Sequence, residues 1–448
     1  MSEEVRHTSE PEFAALVAID WADKKHVWRL EVIGTGQREG GELEHTPEAI
    51  EAWASHLAER FSGRAIAVGL EQSRGSLLYT LTKYAHLVLY PIHPTTLARF
   101  RAALFPSGAK DDPMDADLLL ELLLHHRPFL RPLQPDTLET RRLQFLVEQR
   151  RQLVNEKTRQ TNRLTARLKM YYPQILQWFE EVDSPMVSAL LLRWPTLQKL
   201  QRARPDTLRK FFHQHNCRGT QRIEQRLEQI GQAIPATHDA AVVETCVVAV
   251  QLLARLIATL RRGIAELDRR VEKVAASHPD FALFDSLPGA GKVMAPRLIV
   301  AFGTQRERYS SAKEIHAYSG IAPVLERSGK STWTHFRWTC PKFLRQTFHE
   351  WAGHSLSKSH WARLYYQQQR AKGKAHHAVI RALAFKWIRI VFRCWQNRTP
   401  YDEQVYLRAL QQRRSPLAAT ESPTVNLQWI KRGGLWKLYR SLLTEQLR

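Results

Sequence analysis

The spacing of apolar residues predicts an N-terminal region in which strands and helices alternate. Segments 14–21 and 26–33 are apolar enough for a strand pair, and the nearly continuous apolar run at 65–71 is typical of a central, buried strand. Two further strands are predicted near residues 40–45 and at 87–92. Helical periodicity predicts helices at 47–61, 75–86, 94–105 and from Asp112 to His126. The order β-β-β-α-β-α-β-α up to residue 105 indicates an α/β domain.

The rest of the chain is predicted to be mainly helical. Residues 136–172 and about 238–278 carry leucine and valine near heptad spacing, which favours two long coiled-coil helices over globular core helices. Prolines break residues 184–235 into shorter helices. We therefore expect an antiparallel helical stalk around a compact helical insert, and such a stalk is a natural place for protomers to meet.

These patterns divide the chain into four parts. We predict an RNase H-like domain at 1–135 and a helical coiled-coil region with an insert at 136–280. A mainly helical domain follows at 281–414, and a linker with a basic amphipathic docking tail occupies 415–448. A chain of 448 residues with 44% hydrophobic residues can bury more than one core.

The string GAGK at residues 289–292 resembles part of a phosphate-binding loop. That loop needs a glycine five residues before Gly291 and a Ser or Thr after Lys292, whereas this chain has Ser286 and Val293. A Pro-Gly-x-Gly turn entering a helix instead favours a helix-hairpin-helix-like element, whose backbone N–H groups could bind a nucleic-acid phosphate. A plain tight turn between two helices is the alternative.

Charge is distributed unevenly between the predicted parts. The formal net charge is +22. Residues 1–135 hold 14 Lys+Arg against 19 Asp+Glu, a net charge of −5, so residues 136–448 carry +27. A mildly acidic domain beside a strongly basic body is what a metal-dependent nucleic-acid enzyme requires.

Four acidic residues are candidates for a metal site in the acidic part. Asp20 and Glu71 stand at the ends of predicted strands, and Asp112 and Asp115 lie three apart where a helix begins, with Pro113 in its first turn. An i, i+3 pair shares one helix face, while Asp117 points elsewhere. Clustered carboxylates suit hard divalent cations, so we expect Mg²⁺ or Mn²⁺. Singly, each acid could be a helix cap or a solvated surface residue.

Basic residues in the second half are candidates for contacts with nucleic acid. Between Arg141 and Lys169, nine Lys+Arg stand against two Glu, which favours a polyanion-binding helix over an ordinary solvated face. In the helix ending at Trp395 we assign the aromatic rings to packing and the bases to phosphate contacts. The predicted contact residues are Arg141, Arg142, Arg150, Arg151, Lys157, Arg159, Arg163, Arg167, Lys169, Lys292, Lys330, Arg381, Lys386 and Arg389.

The cysteines and the hydropathy of the sequence predict where in the cell the protein is located. Cys217, Cys246, Cys340 and Cys394 show no CxxC spacing, so we expect neither a zinc site nor a disulfide framework, in keeping with a reducing cytosol. The polar N-terminus is unlike a signal peptide, and we expect no membrane-spanning run of about 18 apolar residues. The predicted location is the cytoplasm.

Several strings together resemble one family. AIDWADKKH, GLEQS and SGAKDDPMDADLL, followed by LPGAGKVMAPRLIVAFG, AYSGIAPVLERSGKS and KFLRQTFHEWA, are similar to the DEDD transposases of the IS-one-ten insertion-sequence family. These are bridge-RNA-guided recombinases, and the chain resembles their longer-chain subgroup. The resemblance runs from Leu16 to Gln396, with Cys340-Pro341 where members often carry Gly-Asn.

The resemblance implies a mechanism. Asp20, Glu71, Asp112 and Asp115 would hold divalent metal in a RuvC-like domain, and Ser328, in a transposase domain, would attack DNA to form a 5′-phosphoserine. Ser331 is the nearest alternative nucleophile and Ser319 a weaker one. Outside the family pattern, Ser328 would be an ordinary turn residue beside Gly329.

The implied partners are nucleic acids and further copies of the chain. The family implies donor and target double-stranded DNA, a noncoding bridge RNA that supplies base pairing, and a homodimer or homotetramer that shares sites between protomers. Two alternatives stay open. One is a metal-dependent RuvC-like junction nuclease that activates water, and the other is a non-catalytic nucleic-acid-binding scaffold.

Overall fold

A computed structural model describes residues 12–71, 75–105, 112–415 and 417. The chain forms two compact units, Met1–Pro135 and Asp136–Arg448. Each unit is considered by itself below.

The first unit contains one five-stranded sheet and its helices. The strands are β1 (Ala15–Asp20), β2 (Lys25–Val32), β3 (Arg38–Glu44), β4 (Ile66–Leu70) and β5 (Leu87–Pro91). The helices are α1 (Pro47–Arg60), α2 (Ser76–Leu81), α3 (Pro94–Leu104) and α4 (Asp112–His126), with a 3-10 turn at Arg127–Phe129. All five predicted strands are confirmed, and α2 ends earlier than its apolar periodicity predicted.

The strands are arranged in the order β3-β2-β1-β4-β5. β1 and β2, and β2 and β3, pair antiparallel, whereas β4 lies parallel to both β1 and β5. Every residue of β1 and β4 is buried, as expected of strands covered on both faces. The first unit is thus mixed α/β, as predicted.

Alternation along β1 divides the core between the two faces of the sheet. Ala15, Val17 and Ile19 belong to one apolar cluster, while Leu16 and Ala18 belong to another. The second cluster includes the apolar face of α4, and a Cβ on Gly69 would lie 2.8 Å from Leu123 of that helix. Glycine in β4 therefore lets α4 approach the sheet closely.

The second unit is mostly helical. Its first helices are α5 (Leu138–Tyr171), α6 (Gln174–Trp178), α7 (Pro185–Arg193), α8 (Leu197–Gln201), α9 (Pro205–Gln214), α10 (Thr220–Gln232) and α11 (Ala240–Ala276). They are followed by α12 (Phe281–Asp285), α13 (Gly291–Phe302), a 3-10 turn at Arg306–Arg308, α14 (Ala312–Tyr318), α15 (Lys342–Ser355), α16 (His360–Ala371), α17 (His376–Asn397) and α18 (Glu403–Gln412). A two-stranded hairpin, β6 (Val324–Ser328) and β7 (Ser331–His335), lies between α14 and α15.

The two long helices run antiparallel, because residues near the start of α5 meet residues near the end of α11. Thr140 Oγ1 lies 2.9 Å from His278 Nε2, and further along Arg150 forms an ion pair with Asp268. The prediction of two long antiparallel helices is confirmed. Their coiled-coil packing stays a prediction.

Helix α11 is more apolar than we expected from the sequence. It is the one helix in the described part that is long and apolar enough, by length and composition, to cross a membrane, so the expectation that no such run existed was wrong. The same test is passed by core helices of soluble proteins, and Val250, Ala254 and Ile257 of α11 are fully buried in the insert's core. Its opposite side exposes Val248 and Leu252.

Tryptophans anchor the core of the C-terminal helices. Trp351, Trp361, Trp387 and Trp395 are completely buried in one cluster, so the assignment of the α17 aromatics to packing is confirmed for Trp387 and Trp395.

All four cysteines are free.

One element was not predicted, and one predicted segment lies outside the described residues. The hairpin β6–β7 was not predicted, because its strands are exposed at nearly every position and so lack apolar alternation. The proposed docking tail falls almost entirely outside the described residues.

Candidate functional site

Two of the four predicted acidic residues lie at neighbouring strand ends of the sheet. β1 and β4 are parallel neighbours in which Ile19 pairs with Leu70. Asp20 and Glu71 are the next residue of each strand, so their backbones lie side by side, about 4.8 Å apart in a continued register. Asp20 is 9% exposed. The fold thus brings together acids that are 51 residues apart in sequence.

Asp115 lies on α4, which packs against β1 and β2. It is only 1% exposed, and its Oδ1 accepts a hydrogen bond of 2.7 Å from Nε of Arg101, on α3. A buried carboxylate requires such a partner, because desolvation of an unpaired charge is expensive. Asp112 begins the same helix, and its side chain lies outside the described residues. Asp117 lies on another face of the helix, as predicted, where it is exposed and pairs with Arg29.

The donor chemistry of this site suits a hard cation. Carboxylate oxygens on adjoining strand ends are ligands that Mg²⁺ and Mn²⁺ accept. Within the described ranges, however, no three His, Cys, Asp or Glu side chains group closely enough to hold a metal, and the carboxylate of Asp115 is bound to Arg101. The donors fit in kind, and the metal site stays a prediction.

A hydrogen-bonded chain links the loops that follow β1 and β4. Ser76 Oγ lies 2.9 Å from His45 Nε2, His45 Nδ1 lies 2.8 Å from His26 Nε2, and His26 Nδ1 accepts from the backbone N–H of Ala22 at 3.1 Å. Burial, with a smaller effect of His45, lowers the pKa of His26 to about 4. A neutral His26 can accept the hydrogen bond from Ala22. These hydrogen bonds therefore restrain the backbone just after Asp20.

The two leading serine candidates face each other across the tip of the β6–β7 hairpin. Ser328 pairs with Ser331, separated by Gly329 and Lys330, and all four residues are exposed. Gly329 has a φ of +56°, which a two-residue hairpin loop favours. Ser319 is fully buried and donates a 3.4 Å hydrogen bond to the His316 carbonyl, so it is not accessible to DNA in this fold.

The predicted cations on α5 divide into two groups. Arg151 and Lys157 are largely buried and pair with Glu350 and Asp183, and Arg150 pairs with Asp268, which gives these three residues a structural role. The exposed members are Arg142, Arg159, Arg163, Arg167 and Lys169, whereas Arg141 is half-buried. Arg159, Arg163 and Arg167 recur every four residues and so form one stripe.

Arg142 also lines a cleft between α5 and α11. The cleft has a volume of about 560 Å³, and its lining includes Arg270 and Lys273 of α11. Exposed bases therefore continue from α5 to the facing helix.

The remaining predicted cations lie in the C-terminal helices and the hairpin. Lys330 and Arg389 are exposed. Lys292 pairs with Glu272, at the end of a turn whose Gly289 packs against the backbone of His354, so the tight turn is observed and its phosphate-binding role stays a prediction.

Two cations of α17 stack on aromatic rings. Lys386 lies over the ring of Tyr365 at 4.9 Å, and burial lowers its pKa. Arg381 lies over Phe336 at 4.5 Å.

Sequence reasoning missed Arg101, His26 and His45. Arg101 lies 14 residues before Asp115 on a different helix, and no periodic pattern connects them. The histidines are single residues at strand ends, and single histidines carry no pattern. Only the fold places Arg101 against Asp115 and joins His26 to the backbone of Ala22, two residues after Asp20.

Comparison with known proteins identifies relatives for most of the chain. A family model for the DEDD transposase of IS110 (IS-one-ten) matches residues 17–173, and a model for the transposase IS116/IS110/IS902 family matches residues 282–367. Together the two models span more than half of the chain, including both predicted catalytic regions.

Three curated relatives illustrate the similarity. A Streptomyces coelicolor protein named as a mini-circle transposase for IS117 is 26% identical over 409 residues, 88% of this chain and 97% of the relative. The uncharacterized 43.6 kDa protein of insertion element IS110, from the same organism, is 25% identical over 81% of this chain and 89% of its own length. A pilin gene-inverting protein of Moraxella bovis is 25% identical over 151 residues, 32% of this chain and 47% of its own length.

Proposed function

The chain belongs to the IS110 family of DEDD transposases, enzymes of insertion-sequence mobility, and from this premise we propose that it cuts and rejoins DNA through a covalent serine intermediate under the guidance of a noncoding bridge RNA. The observation that carries the covalent step is the hairpin. It presents two exposed serines in a segment, Arg327–Arg345, that contains five Lys or Arg and no Asp or Glu.

In the proposed reaction, the Oγ of Ser328 attacks a DNA phosphorus. A bond forms between Oγ and phosphorus, the bond from phosphorus to the 3′ oxygen breaks, and the products are a 5′-phosphoserine and a 3′-hydroxyl. The serine proton is transferred to solvent or a base, and the departing oxygen takes up a proton. No water is consumed, so the phosphodiester bond energy is kept for rejoining. Ser331 is the alternative nucleophile.

The carboxylates have a separate role in this proposal. Asp20, Glu71, Asp112 and Asp115 would hold Mg²⁺ or Mn²⁺, which when bound supplies charge stabilisation for a phosphoryl oxygen and the leaving oxygen. The adjoining positions of Asp20 and Glu71 at parallel strand ends support this role. The same strand order and directions support assigning residues 1–135 to a RuvC-like domain.

Trapping the intermediate on DNA tests the proposal. With a labelled substrate that cannot religate, the protein should form an adduct that survives denaturation. Ser328→Ala should abolish it, and Ser331→Ala, which changes the facing residue of the same hairpin, is the matched control. Loss with Ser331→Ala alone would assign the nucleophile to Ser331, the facing residue of the same pair. An adduct retained in both variants would contradict a serine of this hairpin.

The alternative is a junction nuclease in which the carboxylates activate water. It predicts cleavage without any adduct and with solvent oxygen in the product. Reaction in water labelled with heavy oxygen distinguishes the two, since the serine route introduces no solvent oxygen before the intermediate is hydrolysed.

The exposed basic surface supports double-stranded DNA and RNA as partners. Arg159, Arg163 and Arg167 form a stripe, and Arg142 lines the cleft between α5 and α11. Sequencing RNA that copurifies with the protein should recover a transcript of the element's own end. Equal joining with a scrambled transcript would exclude guidance by base pairing.

An apolar stripe supports assembly as a homodimer or homotetramer. Val248, Leu252 and Leu256 recur every four residues on α11, and they are 69%, 55% and 43% exposed. Exposed apolar stripes of this kind are typical of helix–helix interfaces, so we propose that α5 and α11 form a coiled-coil stalk where copies meet. The proposed site of action is the bacterial nucleoid, in the cytoplasm.

A further inference from the structure

Three arginines converge at the base of the β6–β7 hairpin. Arg345, in the first turn of α15, and Arg381, on α17, each lie 4.5 Å from the ring centre of Phe336. Arg345 also donates a 3.2 Å hydrogen bond to the carbonyl of Arg337, which follows Phe336. The hairpin base therefore brings the guanidinium groups of Arg345 and Arg381 to one aromatic ring, next to Arg337 in the chain segment that follows β7.

Among the residues that the structure describes, this cluster has no acidic partner. In the described ranges, no Asp or Glu forms an ion pair with Arg337, Arg345 or Arg381, and the buried Nε of Arg337 has no hydrogen-bond partner. All three residues are half-buried. Burial, and then the charge of Arg345, lowers the pKa of Arg381.

Such an arrangement is costly without a counter-ion. Like charges at close range repel, and guanidinium groups remain protonated in proteins. Stacking on Phe336 offsets part of the cost, about 0.5–2 kcal/mol for each cation over a ring. An anion bound among the three would remove the repulsion and complete the unmet hydrogen bonds.

Space for an anion lies beside the cluster. A cavity of about 170 Å³ is lined by residues that include Thr334, His335, Phe336, Arg337 and Arg381. A single water needs roughly 10–15 Å³ by a comparable measure. The cavity thus has room for a tetrahedral phosphate group, with hydroxyl and guanidinium donors on its wall.

The position of the cluster restricts which phosphate it can bind. Phe336 is five residues beyond Ser331, so the cluster lies about 17 Å from the hairpin tip in an extended strand. That length is on the order of five nucleotide steps along a duplex strand. The arginines therefore do not reach the phosphate that the tip serines attack.

We propose that Arg337, Arg345 and Arg381 form a binding site for a DNA backbone phosphate on the order of five nucleotides from the reacting one. The site fixes the register of the DNA strand along the hairpin, so that the reacting phosphate is presented at the tip. The three are positioning residues. The assignment to DNA rests on the proposed serine chemistry at that tip, and it adds a specific phosphate contact to the proposed function.

Neutral phosphate analogues test this proposal in the full-length protein with its RNA. Single methylphosphonates are placed at each of eight positions on either side of the cleavage site, and DNA affinity and adduct formation are both measured. Wild-type protein should lose about tenfold in affinity at one or two positions near the fifth. Arg381→Ala should show that loss on unmodified DNA and no further loss with the methylphosphonate there, because the contact is already gone.

Control variants separate the contact from general damage. Arg381→Lys keeps the charge and should keep the methylphosphonate effect. Arg193→Ala removes an arginine that also stacks on an aromatic ring, that of Trp194 at 4.6 Å, and should leave the profile unchanged. A profile in Arg381→Ala identical to that of the wild type overturns the proposal, as does weakened RNA binding with an unchanged DNA profile.

The two readouts distinguish this inference from the proposed function. If no adduct forms but affinity still shows interference that depends on Arg381, the covalent mechanism fails and the phosphate site stands. If the adduct forms and depends on Ser328, but its position dependence ignores Arg381, the phosphate site fails alone.

Discussion

The ion pair between Arg101 and Asp115 should be a main source of stability for the first unit. We expect Arg101→Met to destabilise that unit far more than Arg29→Met, although both remove the arginine partner of an aspartate on α4. The comparison is close in geometry, because the hydrogen bonds are 2.7 Å to Asp115 and 2.9 Å to Asp117. Burial differs, since the side chain of Asp115 is 2% exposed and that of Asp117 is 53% exposed.

The magnitudes follow from solvation. Breaking a buried pair by removing one partner costs about 3–5 kcal/mol, because the remaining carboxylate is left desolvated. The side chain of Arg101 is 17% exposed, so water can partly replace it and we expect about 3 kcal/mol. The pair of Arg29 with Asp117 is a surface contact, whose loss costs about 0–1 kcal/mol.

Hydrogen exchange against urea measures this effect in the intact chain. The slowest amides of β1 and β4 report the free energy of opening of the first unit, separately from the second. A double-mutant cycle with Asp115→Asn isolates the pair, and the double variant should lose about 2 kcal/mol less than the sum of the single losses. Equal stability of Arg101→Met and Arg29→Met, within about 0.5 kcal/mol, would refute the reasoning.

Three further predictions concern pH, assembly and nucleic-acid binding. Burial lowers the pKa of both His26 and His349 to about 4, so below pH 6.5 the unfolded chain binds more protons than the folded chain. The free energy of unfolding should therefore fall from pH 6.5 toward pH 4, by up to roughly 3 kcal/mol for each histidine. Urea unfolding at both pH values measures this fall, and His26→Gln should make it smaller. Leu252→Lys should reduce the mass measured by light scattering to that of a smaller assembly, and an unchanged mass would exclude this stripe as the interface. Replacing Arg163 and Arg167 together with alanine should lower the slope of log affinity against log salt by about 2, and an unchanged slope would show that neither contacts phosphate.

Local sequence patterns were enough to predict the strands of the main sheet and the two long helices. The strands of the sheet and both long helices were predicted, because burial on one or both faces forces apolar residues into periods of two or 3.6. The β6–β7 hairpin was not predicted, because its strands are exposed and no buried face requires apolar residues at a regular spacing. The apolar stretch of α11 was also underestimated, because two charged residues interrupt it in the printed sequence.

By itself, the sequence determined which residues are available for chemistry: the identity and spacing of the acids, the serine beside Gly329, the basic second half and the family strings. The tertiary structure alone decided which distant residues meet, namely Asp20 with Glu71, Asp115 with Arg101, and Phe336 with Arg345 and Arg381. The periodic spacing of apolar residues within a helix or strand involves only residues close in sequence, so it can be recognised in the sequence. Long-range contacts depend on how separate elements pack, and no local pattern records that packing.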